Sequence, residues 1–277
     1  MQRVLAAMLL LASSVLSAAA AIAGETFSCD EAFSIPTDLL ESRVSIFGEL
    51  HGTEQIPKAV SSFVCVQLRS GRRVTLVLEI SATEQEAITR YLHSSGNAAD
   101  RAALLAGPFW TRPIMKGAST QDGRASLAVL RLIEEMRQHA REGRRIGVIA
   151  GAAYGRGQDM DEMLAKAIRQ AVSEYPEGKV VALMGDNHAS ESRGRPWDAD
   201  FAGVGYRLRD LKPAVIHTIH LGGSAWICKQ EGCGKSGLWA DPRNAGRPIG
   251  YSPAERGGFN WALTLGTVTA SDPAVPE

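Results

Sequence analysis

The sequence predicts an α/β fold: a three-layer sandwich with a central, mainly parallel sheet and an active site at the carboxyl ends of the strands. Three observations predict it. Short apolar runs alternate along the chain with stretches whose apolar residues recur at helical spacing. Two of these runs end in a glycine that an acidic residue follows directly, with a histidine two residues further on. The length of 277 residues and the 45% hydrophobic content suit one large globular domain.

The first strand–helix–strand unit occupies residues 44–79. Residues 44–47 are mostly apolar, and the strand breaks at Gly48, which turns the chain without a Cβ clash. A helix with an apolar stripe starts near Pro57 and ends at residues 70–71, and residues 74–79 return as a strand. Such a unit is most economically parallel and right-handed.

The later elements continue this alternation. Apolar periodicity and capping residues predict helices at 83–93, 126–142, 159–174 and 201–211, and strands at 146–150, 179–184 and 214–221. The stretch 94–124 is rich in glycine, proline and aromatic residues and predicts a long irregular loop. The acidic residues Asp159, Asp161 and Glu162 are interpreted as residues that suit a helix N-terminus.

Two strand exits carry side chains suited to chemistry. Gly48 is followed by Glu49 and His51, and Gly185 is followed by Asp186 and His188. A single G-x-x-H pattern is weak, because it fixes only two residues. Two copies at strand exits, each with an acidic residue after the glycine, favour a functional site over two helix-capping histidines.

These motifs resemble those of the Tiki/TraB, erythromycin esterase and ChaN-like superfamily. Residues 48–53, Gly-Glu-Leu-His-Gly-Thr, are similar to the first motif of the esterase branch, residues 185–188 are similar to the second, and Glu79 closes the intervening strand. The resemblance covers residues 43–210. It implies the fold and the site, whereas the substrate differs among members, which include metal-dependent peptidases, macrolide esterases and haem-binding lipoproteins.

We expect the strand exits to bring five side chains together: Glu49, His51, Glu79, Asp186 and His188. The predicted metal ligands, His51, Glu79, Asp186 and His188, suit a divalent ion such as Mn, Fe, Co or Zn. Such an ion would lower the pKa of a bound water, with Glu49 as general base. A metal-free route stays open, in which His51 activates water and Glu79 orients it. The predicted function is an exported hydrolase that cleaves an ester or peptide bond of a small-molecule or peptide substrate.

Three further residues are predicted to contact the substrate. Trp110 belongs to the irregular stretch 94–124, which could line a substrate cleft. Alternatively, this stretch is a surface excursion that one buried tryptophan pins to the domain. Tyr154 and Arg156 lie in the glycine-rich exit after residues 146–150, and the resemblance implies an arginine at this exit. The rival prediction is a haem-binding protein of the ChaN-like type, with Tyr154 or a histidine as axial ligand.

The N-terminus predicts a cleaved signal peptide at residues 1–23. Arg3, an apolar run at 4–15 and small residues before the A-x-A site at 21–23 make up this pattern. No cysteine follows the predicted cut directly, so we expect a secreted or periplasmic protein without a lipid anchor, unlike the ChaN-like lipoproteins. Formal net charge is zero, with 30 basic and 30 acidic residues, which gives no indication of nucleic-acid binding.

Export affects the interpretation of the four cysteines. An even count in an oxidising compartment favours disulfides, with Cys29 paired to Cys65 and Cys228 to Cys233. A zinc site of all four is the alternative, which a single C-x4-C supports poorly. We expect residues 24–221 to form the α/β domain and residues 222–277 to form a C-terminal hairpin and loop extension packed on it.

Overall fold

The computed structural model describes Cys29 and residues 33–111, 121–153 and 158–276. The predicted signal peptide, Tyr154 and Arg156 lie outside these residues. The helices are α1 (Thr37–Glu41), α2 (Gln55–Arg69), α3 (Gln85–Leu92), α4 (Ala98–Leu105), α5 (Leu127–Arg141), α6 (Gln158–Glu174), α7 (Asp186–Ala189) and α8 (Val204–Arg207). The strands are β1 (Val44–Glu49), β2 (Val74–Ser81), β3 (Ile146–Ala152), β4 (Lys179–Gly185), β5 (Ala214–Ile219), β6 (Gly223–Lys229), β7 (Gly232–Leu238), β8 (Gly250–Pro253) and β9 (Trp261–Thr264).

Seven of these strands form one sheet in the order β3-β2-β4-β1-β5-β9-β8. Every neighbouring pair is parallel except β8 and β9, which are antiparallel. The predicted α/β fold with a mainly parallel sheet is therefore confirmed. Strands β8 and β9 come from the predicted C-terminal extension, which thus supplies two strands of the central sheet, while β6 and β7 form a separate hairpin.

Helices cover both faces of the sheet and bury two apolar cores. Alternate residues of one strand enter different cores, because successive side chains of a strand point to opposite faces. Leu76 and Leu78 of β2 pack with α2, α3 and α5, whereas Val77 packs with α6. Packing between these two layers of helices fixes the positions of the strands and of their carboxyl ends.

Helix α4 lies in the stretch that was predicted to be irregular. Asn97 caps it by accepting a hydrogen bond from the backbone N–H of Asp100, and the Asp100 side chain accepts from the backbone of Asn97. This capping box was visible in the sequence as Asn-x-x-Asp and indicates a helix start. In contrast, the predicted helix at 201–211 is only the short α8 followed by a 3-10 turn at Arg209–Leu211.

Both predicted disulfides are present, Cys29–Cys65 and Cys228–Cys233. The first ties the chain before α1 to helix α2. No helix among the described residues is long and apolar enough to cross a membrane.

The C-terminal tail braces the loop that follows β1. The carbonyl oxygen of Gly52 accepts hydrogen bonds from the backbone N–H groups of Trp226 and Ser271, each at 2.9 Å. Gly52 has φ of 80°, and a Cβ there would lie 2.2 Å from the Trp226 carbonyl oxygen, so only glycine fits. The tail also joins α5, where Leu127 N–H donates to the Asp272 carbonyl at 2.8 Å.

Candidate active site

The strand order places the two G-x-x-H motifs side by side. Strands β1 and β4 are neighbours, with Glu49 opposite Gly185, and β2 lies on the other side of β4. Adjacent strands are about 4.8 Å apart, so side chains at these three exits are within reach of one another.

Gly185 marks the point around which these side chains gather. A Cβ built on Gly185 would lie 3.0 Å from His51 Nε2, 3.4 Å from His188 Cδ2 and 3.6 Å from Glu79 Oε2. The structure therefore brings His51, Glu79 and His188 together, although His51 and His188 are far apart in the chain. We call these three residues the central cluster.

Glu49 holds the imidazole of His51. His51 Nδ1 donates a hydrogen bond to Glu49 Oε1 at 2.8 Å, and His51 Nε2 lies 3.7 Å from Glu79 Oε2. Burial alone would lower the pKa of His51, but the carboxylates of Glu79 and Glu49 outweigh it and raise that pKa to about 9. His51 is therefore protonated at neutral pH.

Asp161 holds the second imidazole. His188 Nδ1 donates to Asp161 Oδ1 at 2.9 Å, and Asp161 is fully buried near the start of α6. Burial would lower the pKa of His188, and the hydrogen bond to Asp161 together with the charge of Glu79 raises it. Sequence reasoning missed this partner, because an acidic residue in the first turn of a helix is explained equally well by the helix dipole.

Arg124 and the backbone of Gly185 bind both oxygens of Glu79. Arg124 donates to Glu79 Oε1 at 2.8 Å, and the Gly185 N–H donates to Oε2 at 2.8 Å. Burial would raise the pKa of Glu79, but His51 and Arg124 outweigh it and lower that pKa. Glu79 is thus an anion between an imidazolium and a guanidinium. Arg124 lies in the stretch predicted to be irregular, where no pattern singled it out.

Asp186 does not face the central cluster, in contrast to the prediction. It accepts hydrogen bonds from His217 Nδ1 at 2.9 Å and from Arg256 at 2.6 Å. The reason is local. Asp186 opens the short helix α7, and successive residues of a helix are rotated by about 100°, so Asp186 and His188 point to nearly opposite sides.

Trp110 is also placed differently from the predicted cleft position. Its side chain is fully buried in the apolar core and packs edge-to-face against Phe109. The burial of Trp110 agrees with the alternative given above, in which one buried tryptophan pins this stretch to the domain.

The side chains present do not fit a divalent cation. No group of three or more His, Cys, Asp and Glu residues in the described part of the chain is arranged to hold one. Both oxygens of Glu79 already accept hydrogen bonds, and the guanidinium of Arg124 would repel a second cation there. Asp186, a predicted ligand, faces elsewhere. We therefore derive no catalytic step through a metal.

Comparison with solved structures shows the same fold in other proteins. A mutant of the erythromycin esterase EreC in its open conformation is 12% identical, with 87% of this chain and 94% of that chain covered and a TM-score of 0.63. A succinoglycan biosynthesis protein is 10% identical, with 85% and 90% covered and a TM-score of 0.64. A Bacillus cereus protein is 10% identical, with 86% and 92% covered and a TM-score of 0.57.

The fold that the two motifs implied is therefore confirmed, and at these identities the likeness concerns the fold alone. No protein-family model matches the sequence, and no curated protein matches it.

Proposed function

We propose that this protein is a hydrolase that cleaves an ester bond at the central cluster. One observation carries the proposal: each histidine of the cluster binds a carboxylate of its own through Nδ1, His51 to Glu49 and His188 to Asp161. A carboxylate on Nδ1 fixes the tautomer and stabilises the imidazolium, which leaves Nε2 for proton transfer. Two such imidazoles beside one point are an acid and a base for hydrolysis.

Both imidazoles have a raised pKa, and we assign the acid role to His51, which is protonated at neutral pH. A general base works best when its pKa is near the working pH, and a general acid must start protonated. With a pKa of about 9, His51 is protonated at neutral pH and donates a proton to the leaving alcohol. Before that step His188, in its neutral form, removes a proton from the water as the water attacks the ester carbonyl. Glu79 lies between them as an anion that stabilises each imidazolium as the protons move.

Glu49 has a different role here from the general base predicted from the sequence. Its Oε1 accepts the hydrogen bond from His51 Nδ1, so it positions the imidazole. These contacts support a route without a metal, but one in which His188, and not His51 as predicted from the sequence, activates the water. Hydrolysis is accordingly expected to survive dialysis against EDTA, and a loss that Mn, Co, Fe or Zn restores would contradict the metal-free route.

A panel of acyl esters and peptides, assayed with purified protein, tests the proposal. His51→Ala and His188→Ala are each expected to lower kcat/KM for ester hydrolysis by about 10²-fold or more. His93→Ala is the matched control, because His93 is exposed and lies outside the cluster at the end of α3. Each variant should keep the wild-type circular dichroism spectrum. Full ester hydrolysis in either cluster variant would contradict the proposal.

The same proteins discriminate hydrolysis from haem binding, the alternative that the motif resemblance raised. Haem is titrated into wild-type protein, His51→Ala and His188→Ala, and the Soret band is recorded. A saturable band at one haem per chain that either substitution removes, without ester or peptide cleavage, would replace the hydrolase proposal. Cleavage of peptides in preference to esters would keep the mechanism and change the substrate.

A further inference from the structure

A cavity of about 640 Å³ lies beside the central cluster, and we call it the side pocket. Its lining combines strand residues, His217 and Ile219 of β5 and Ala262 of β9, with charged side chains between residues 241 and 256. This volume is in the range of small-molecule sites in proteins. Nothing in the proposed chemistry uses it.

The side pocket lies near the same edge of the sheet as the central cluster, with β1 between them. His217 stands opposite Gly48 in the β1–β5 pairing, one residue before Glu49. On the other side, Asp186 follows Gly185 and binds His217 and Arg256, both of which line the pocket. Strand β5 is two strand spacings, or about 10 Å, from Gly185 on β4, a distance that a sugar ester held in the side pocket can span to reach the central cluster.

The charges of the pocket are paired with one another. Its three arginines each bind a carboxylate: Arg243 to Asp241, Arg247 to Glu255 and Arg256 to Asp186. The six charges sum to zero. The lining therefore has no net charge that would attract an anionic or a cationic ligand.

Hydroxyl groups suit such a lining, because they bind donors and acceptors alike and bring no charge of their own. Each guanidinium has five N–H donors and each carboxylate about four acceptor positions, so the ion pairs leave both kinds unused. A hydroxyl group both donates and accepts, so it can bridge the two. Among the described pocket residues, the apolar ones, Ile219, Ala254 and Ala262, contribute little surface for an acyl chain.

We infer that the side pocket binds an uncharged, polyhydroxylated alcohol, such as a sugar or polyol, whose ester is cleaved at the central cluster. The inference rests on the proposed hydrolase function and specifies its substrate class.

Kinetic discrimination between matched esters tests it on the full chain. The substrates are methyl 4-O-acetylglucoside, methyl 4-O-acetylglucuronoside and hexyl acetate. We expect kcat/KM for the uncharged sugar ester to exceed that for the anionic sugar ester by about tenfold or more. A wild-type preference for the anionic ester or for hexyl acetate would overturn the inference.

A charge change in the pocket sharpens the test. Glu255→Gln leaves Arg247 without its carboxylate, so the ratio of kcat/KM for neutral over anionic sugar ester should fall by about tenfold. Glu86→Gln is the matched control, since it also removes a glutamate from an arginine pair, on the exposed face of α3. An unchanged ratio in Glu255→Gln, or an equal change in both variants, would overturn the inference.

Binding without catalysis separates this inference from the proposed function. Isothermal titration calorimetry of the wild-type protein compares maltotriose with trigalacturonate. If maltotriose binds more tightly and no ester is hydrolysed, the side pocket is assigned correctly and the hydrolase proposal is wrong. If esters are hydrolysed while maltotriose binds no better than trigalacturonate, the hydrolase proposal stands and the side-pocket inference is overturned.

Discussion

Replacing Gly185 with alanine should stop hydrolysis without unfolding the protein. Gly185 has φ of −57° and ψ of 145°, an extended conformation that alanine adopts freely. The new methyl group would lie 3.0 Å from His51 Nε2 and 3.4 Å from His188 Cδ2, so the imidazole of His51 must shift by a few tenths of an ångström. The methyl would also occupy the space between the two imidazoles, where the attacking water must lie.

The expected loss follows from this geometry. Misplacing a reacting group by about 1 Å costs about 10²-fold in rate, so the smaller shift of His51 costs less than this. The displaced water accounts for the rest of the loss, and kcat/KM should fall by about 10²-fold in total. The free energy of unfolding should change by less than about 1 kcal/mol, because the lower entropy of the unfolded alanine chain offsets the close contact. The hydrogen bond from residue 185 N–H to Glu79 is retained.

The assay measures steady-state ester hydrolysis and urea unfolding on the same preparations. Gly237→Ala is the matched control, since a Cβ on Gly237 meets no atom within 4 Å. Wild-type kcat/KM in a folded Gly185→Ala variant would refute the placement of the reaction at the central cluster. An equal loss in Gly237→Ala would show that the assay reports a general effect on the protein.

Three further predictions concern the charged groups of the site. Asp161→Asn should lower kcat by about 10²-fold or more with little change in KM, because His188 loses the carboxylate that stabilises its imidazolium. Steady-state kinetics measure both constants, and a change in KM alone would contradict this prediction. The raised pKa of His51, about 9 when folded against about 6.5 unfolded, stabilises the fold fully below pH 6.5, and this stabilisation is lost as the pH rises through 9. Urea unfolding should thus show stability falling across that window in the wild-type protein and less so in His51→Gln, and parallel curves would contradict the pKa. Arg124→Gln should lower the free energy of unfolding by about 1.5–3 kcal/mol, since it removes a charged hydrogen bond from buried Glu79, and a wild-type urea midpoint would contradict this.

The fold was predictable because its signals are local. Each of the strands β1 to β5 is a short apolar run of consecutive residues, and α2 and α5 each carry an apolar stripe over a few turns. Periodicity within such a short segment is enough to specify the element. Parallel pairing then follows from the helical crossovers. The adjacency of β1 and β4 was only an expectation, because the order of strands depends on packing between distant segments.

The partners of the site residues were less predictable, because they come from distant segments of the chain. Asp161 meets His188 from 27 residues away, and Arg124 meets Glu79 from 45 residues away. No local pattern distinguishes a helix-capping aspartate from one that orients an imidazole. For Asp186 the local pattern was misleading. Its place in the motif predicted that it joins the central cluster, but the rotation along helix α7 points its side chain away.

The brace between the C-terminal tail and the loop after β1 has a consequence for biosynthesis. The ribosome makes Gly52 early, but its hydrogen-bond partner Ser271 emerges roughly 220 residues later, a delay of about 10–45 s at ordinary rates of translation. Until then the loop that carries His51 lacks its support, and α5 lacks the hydrogen bond from Leu127 to Asp272. A nascent chain therefore lacks this hydrogen bond to the loop for nearly all of its synthesis, and a chain terminated before residue 271 would never form it.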